Sequence, residues 1–204
     1  MVEYYGFPAH RLTSKYLTVD CLEGAGPRIA GVYYQGSANL LGEVPEIAID
    51  TPYGSYRYLG GHRLWYAPEA MPRSYIPDEE GVTITQASDR LILDGKPEKP
   101  TGIHKKIEVC LEPEQPVVTV KHTIINESLW EVELAPWAIT MFRLGGTVIL
   151  PIRSQEVDLN SLLPDRRVTL WPYSQVRDPR LRVEDEVILL QAKPLPALFK
   201  IGAF

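Results

Sequence analysis

Cysteine is nearly missing from this 204-residue sequence: Cys21 and Cys110 are its only thiols. Two cysteines exclude a disulfide framework, and both fall in strand-like segments, where a thiol serves as a small hydrophobe. The four histidines show no metal-ligand spacing, so neither a metal nor another cofactor is expected. There is no block of lysine and arginine. With a formal charge of −5 and a pI near 5.4, the composition excludes a nucleic-acid backbone or an anionic membrane as the main partner. No apolar run approaches the roughly 18 residues of a membrane span, and the opening MVEYYGFPAHRLTSKY lacks the apolar centre of a signal peptide. These absences point to a cytoplasmic protein. An amphipathic helix is missing too, since a 3.6-residue apolar period occurs nowhere.

Proline and glycine, by contrast, are plentiful, at 18 and 15. They punctuate a series of short segments with period-two patterning. Residues 104–112 place Ile107, Val109 and Leu111 on one face and Lys106, Glu108 and Cys110 on the other. After the turn EPEQP, residues 117–126 place Val118, Val120, His122 and Ile124 on one side. Residues 82–86 and 90–94 read as a hairpin. Further strands are expected at 16–22, 28–34, 38–42, 130–135, 137–143, 146–150, 167–171, 186–192 and 198–201, while 45–56 carries little regular pattern. A dozen or so short strands with Pro/Gly turns imply an all-β fold, a single large antiparallel β-sandwich in one domain. A chain of this length buries roughly 70% of its unfolded surface.

Residues 58–78, YLGGHRLWYAPEAMPRSYIPD, concentrate the unusual chemistry. Prolines at 68, 72 and 77 fix φ and withhold donors, which predicts a stiff, irregular surface path rather than helix or strand. Its aromatic residues supply enough apolar area to hold such a path down. Gly60 and Gly61 permit close backbone approach, and His62 and Arg63 follow side by side.

Several stretches together resemble the galactose mutarotase-like superfamily, specifically its DUF4380-type bacterial branch. They are YLGGHRLWYAPE (58–69), TGIHKKIEV (101–109), VKHTIINESLWEVELAPWAIT (120–140) and LLPDRRVTLWPYSQVRDPRL (162–181). The pairing of LAPWA (134–138) with LWPY (170–173) is the most specific. The resemblance covers most of the chain from about residue 28 onward and implies a supersandwich with a carbohydrate-sized groove on one sheet. The sequence departs from the family's aldose epimerases twice. Their catalytic histidine lies in an Asn-His-Xaa-Tyr-Phe-Asn strand, whereas the comparable strand here reads Ala135-Pro136-Trp137-Ala138. Their catalytic glutamate lies beyond the position where this chain ends, so the chain reads as a shortened form, lacking the last strands of the family fold.

Anomer exchange needs one group to protonate the ring oxygen and another to remove the hydroxyl proton. His62 is the best imidazole, with Arg63 expected to depress its pKa, and Glu133 is the candidate carboxylate; a turn histidine and an exposed strand glutamate are the plain alternatives. Arg63 and Arg73 offer planar forks for an anion or vicinal hydroxyls, or else ion pairs with Glu69 or Asp78. Trp65, Trp137 and Trp171 are candidates for stacking on a sugar ring, or core anchors. His122 is a core histidine unless the groove lies on its sheet face. His10 and His104 have no supporting context. Two readings follow: a sugar-binding protein with weak aldose epimerase activity on a free or anionic sugar, or a non-catalytic association module. The second rests on the strand-like ending LFKIGAF, whose unpaired edge would draw a second chain and make an oligomer.

Overall fold

In the computed structural model, residues 2–152, 160 and 167–203 are described. The chain is all-β: the described residues form seventeen strands and one short 3₁₀ turn, and every strand pair among them is antiparallel. Its contacts group residues 1–142 and 143–204 into two compact units.

In the first unit, β1 (Val2–Tyr4), β2 (Phe7–Thr13), β3 (Leu17–Leu22), β4 (Arg28–Tyr34), β7 (His62–Ala67) and β12 (Ala135–Thr140) form one sheet in that order. A second sheet runs β11 (Val118–Asn126), β10 (Ile103–Leu111), β9 (Arg90–Asp94), β8 (Thr83–Gln86). The hairpin β5 (Glu43–Thr51) and β6 (Gly54–Gly60) stands apart as a two-stranded sheet. The core lies between the six- and four-stranded sheets. Leu17, Val19 and Cys21 of β3, Ile29 of β4 and Leu64 of β7 pack in one buried cluster with Leu91, Leu93, Ile107 and Val109. Period-two alternation dictates this: Ile107, Val109 and Leu111 are buried while their intervening neighbours are half-exposed. A smaller cluster around Tyr4, Leu22, Ala30 and Leu59 lies apart from that core.

The second unit holds β13 (Thr147–Pro151), β16 (Val187–Gln191) and β15 (Leu181–Val183) in one sheet, and β14 (Val168–Leu170) paired with β17 (Ile201–Ala203). Arg180 grips Asp178 at 2.7 Å within it. Residues 162–166, part of the stretch quoted for the resemblance, lie outside the described residues.

Several expectations are corrected. Residues 62–67 are not an irregular surface path but strand β7, paired with β12 on one side and with β4 at its start. The prolines begin only at position 68, and Arg63, Leu64, Trp65 and Tyr66 are all buried, so β7 lacks the alternation that marks a strand with one wet face. Only the stretch from 68 to 78 is irregular, with the 3₁₀ turn at Arg73–Tyr75. Residues 45–56 belong largely to the β5–β6 hairpin; the register shift between Val44 and Ala48, around Pro45, breaks the pattern there. Strands β1 and β2 escaped notice because Tyr5-Gly6, with φ of 56° and 85°, stands where Asn-Gly is the usual hairpin signal. Residues 38–42 contribute a single bridge, Leu41 to Phe142. Residues 130–134 are not strand. Asn126 accepts from Ser128 and donates to the Trp130 carbonyl, a local turn that competes with ladder pairing.

Candidate functional site

The bend from β6 into β7 organises the surroundings of every candidate on β7. Leu59, Gly60 and Gly61 have φ of 56°, 94° and 73° in succession. A Cβ on Gly60 would collide with the Gly42 carbonyl oxygen, and one on Gly61 with that of Ile29. Glycine is therefore required by space as well as by conformation. Leu59 takes the same left-handed region at a cost of about 1–2 kcal/mol, offset by complete burial of its side chain. Gly61 donates to the Gly42 carbonyl at 2.9 Å and accepts from Met141 at 2.9 Å, which fixes the start of β7.

Alternation along β7 then sends His62 and Arg63 to opposite faces. His62 hydrogen-bonds Thr140, its register partner on β12, through Nδ1 at 2.8 Å. Its Nε2 meets His122 Nε2, on β11 of the other sheet, at 2.8 Å. The pair ties the two sheets together across the edge of the core, with one ring donating and the other accepting. Burial, and secondarily His122, lowers the His62 pKa to about 4, and burial lowers that of His122. The expectation that Arg63 depresses the His62 pKa is thus corrected: the cause is desolvation, because Arg63 points the other way.

This has a measurable consequence. An unfolded histidine titrates near 6.5, so between about pH 6.5 and 4 the unfolded chain takes up a proton that folded His62 refuses. Stability is expected to be full above pH 6.5 and to fall as pH drops toward 4, read by urea unfolding across that range. A His62→Gln variant should lose most of that slope. His104 works in the opposite sense. Burial opposes its charge, but Glu127 and Asp94, at 2.7 and 2.6 Å, outweigh it and raise the pKa, so its contribution is full at low pH and lost as pH rises. Sequence alone gave no sign of these two partners, because Asp94 and Glu127 come from separate segments.

On the opposite face of β7, Arg63 is 4% exposed and lies in an aromatic box. Its guanidinium sits 4.6 Å from the Trp65 ring centroid, 5.4 Å from Tyr58 and 5.6 Å from Tyr56, and donates to the Tyr58 carbonyl at 3.0 Å. Trp137, the register partner of Trp65, packs edge-on against it at 5.7 Å, and Tyr75 closes the box from the irregular stretch. Arg28, wholly buried and the register partner of Arg63, donates to the Tyr58 and Gly60 carbonyls and pairs with Asp78 at 3.0 Å. Sequence reasoning missed Arg28 altogether, since nothing in GPRIAGVYY distinguishes it from a solvated strand arginine.

Arg73 pairs with neither Glu69 nor Asp78. It donates to the Pro68 carbonyl and covers the Tyr66 ring. Glu133 is exposed in the irregular stretch ahead of β12. Trp171 lies in the second unit, with Lys200 Nζ 4.3 Å over its ring. Within the first unit, the histidine pair and the arginine–aromatic box thus belong to opposite faces of β7.

A groove that sequence reasoning did not foresee lies in the first unit. It has a volume of about 520 Å³ and is lined from three stretches, Gly26-Pro27, 76–81 and 96–100, with Tyr53 and Lys105. Most of its charges are paired: Lys99 with Glu80 at 2.6 Å, Lys105 with Glu98, Asp78 with Arg28 and Glu79 with Arg57, while Lys96 donates to the Glu80 carbonyl. Between them stand apolar faces from Ile76 and four prolines. A smaller cavity adjoins it, and the two share Gly26, Pro27, Ile76, Asp78 and Lys105.

Among the described residues, no group of three or more His, Cys, Asp or Glu side chains could hold a metal ion. No helix among them is long and apolar enough to cross a membrane. No family model, curated protein or solved structure matches the chain.

Proposed function

We propose that the chain is a carbohydrate-binding protein and that its ligand occupies the groove of the first unit. The observation that carries this reading is the lining of that groove. Most of its carboxylates and ammonium groups are paired with one another, so both acceptors and donors are presented without a large net field. Apolar proline and tyrosine faces stand between them. A sugar ring asks for that combination, because its hydroxyls need both kinds of partner while its C–H face needs an apolar one. The volume also suits a mono- or disaccharide, at the lower to middle range of small-molecule sites.

Aldose epimerase activity at His62 sits less easily with the geometry. Both of its ring nitrogens are hydrogen-bonded within the protein, and neither bond is to a carboxylate. The reading is therefore binding, with His62 as a cross-sheet tie.

Isothermal titration with galactose and glucose tests it, against wild type and Tyr53→Ala. Tyr53 is 45% exposed on the groove wall, so its truncation should leave stability almost unchanged. Loss of a stacking face is expected to weaken binding by roughly three- to tenfold. Binding that ignores Tyr53→Ala would move the ligand elsewhere, and no binding of either sugar or of the anionic sugars below would remove the reading.

A further inference from the structure

Beside the groove, three buried hydrogen-bond donors have no acceptor among the described residues: Arg63 Nε and the Tyr56 hydroxyl, whose side chains line the small adjoining cavity, and Arg28 Nε behind them on β4. All three side chains are more than nine-tenths buried, at 0, 4 and 1% exposure. They belong to one neighbourhood. Arg28 and Arg63 are register partners on β4 and β7, and the Arg63 guanidinium lies 5.6 Å from the Tyr56 ring centroid. Arg63 and Tyr56 line the small cavity adjoining the groove, together with Ser74, Asp78 and Lys105.

The charges are as unbalanced as the hydrogen bonds. Two buried guanidinium groups share a single carboxylate, Asp78, which contacts only Arg28 directly. Lys105, on the same cavity wall, is already matched by Glu98. A buried guanidinium without a carboxylate is costly, and cation–π contacts worth about 1–2 kcal/mol recover only part of that cost. Asp20, by contrast, is fully buried and fully served: it receives Arg11 through two bonds of 2.7 Å and Tyr4 at 2.6 Å.

We infer that this cavity is an anion subsite that receives a carboxylate of the ligand, so that the sugar bound in the groove is a sugar acid. A planar carboxylate brings acceptors and one negative charge, which answers both deficits together. The cavity's volume of about 20 Å³ admits roughly one oxygen-sized group, so a single carboxylate oxygen reaches into it while the rest of the ligand stays in the groove. The inference rests on the carbohydrate reading for the body of the ligand, but the anion subsite stands on its own geometry.

The test measures affinity for galacturonate, galactose, glucose 6-phosphate and propionate, with wild type and Tyr56→Phe. The variant keeps the ring and removes only the partnerless hydroxyl, so the unliganded protein should be as stable as wild type or more so. Galacturonate is expected to bind at least tenfold more tightly than galactose, and propionate to bind weakly. Tyr56→Phe should weaken both carboxylates roughly fivefold while leaving galactose unchanged. Propionate binding without any sugar binding would keep the anion subsite and remove the carbohydrate reading. Galactose binding as tightly as galacturonate would keep the carbohydrate reading and overturn the subsite. Tighter binding of glucose 6-phosphate would overturn the carboxylate assignment in favour of a phosphate, and silence from all four, meaning that an internal water alone meets the donors, would overturn both.

Discussion

Arg28→Met is expected to lower stability by about 3–5 kcal/mol in urea unfolding followed by tryptophan fluorescence. The side chain is wholly buried, and three partners depend on it: the Tyr58 carbonyl at 2.7 Å, the Gly60 carbonyl at 2.8 Å and Asp78 at 3.0 Å. Methionine fills much of the volume but donates nothing, so two carbonyls at the bend from β6 into β7 lose a buried donor. The same substitution at Arg63 should cost distinctly less. Arg63 makes one hydrogen bond to protein, to the Tyr58 carbonyl, and has no carboxylate in contact. Removing it gives up ring contacts and that bond but also relieves a desolvated charge. A larger loss at Arg63 than at Arg28 would contradict the view that Arg28 is structural and Arg63 is held for a ligand.

The second large effect is expected from Gly61→Ala, at about 3 kcal/mol or more. A left-handed conformation at φ of 73° costs an alanine about 1–2 kcal/mol. The new methyl group would also press on the Ile29 carbonyl oxygen, which is backbone and cannot swing aside. Forcing such a shift in a packed region adds about 1–3 kcal/mol. Gly36→Ala is the matched control. It too has positive φ, at 74°, but its Cβ would meet nothing within 4 Å, so only the conformational part should appear. Thermal melts of the pair separate the two contributions.

How much of this was legible depended on whether one face of a strand meets water. β10 and β11 were plain, because Ile107, Val109 and Leu111 alternate with wetter neighbours. β7 was hidden, because Arg63 and Trp65 are covered on one face while Leu64 and Tyr66 are buried on the other, so no period showed. Gly60 and Gly61 were rightly read as a place of close backbone approach, since few other roles require two adjacent glycines. The partners of His62 were not legible. Thr140 and His122 lie 78 and 60 residues away, and only register and sheet packing bring them in. Arg63 was singled out for its fork, yet its aromatic box and its neighbour Arg28 depend on the pairing of β4 with β7, which nothing local announces. The groove escaped for a similar reason: its walls come from three polar, proline-bearing connections, each of which reads by itself as solvent-facing loop.

The most direct test of the ligand-binding account is an amide chemical-shift map of the ¹⁵N-labelled protein titrated with galacturonate. The account expects saturable shifts confined to residues 26–27, 53–61, 63, 76–81 and 96–105, around the groove and the Arg63 cavity. Shifts centred instead on the His62–His122–Thr140 tie, or no saturable shift at any accessible concentration, would contradict it.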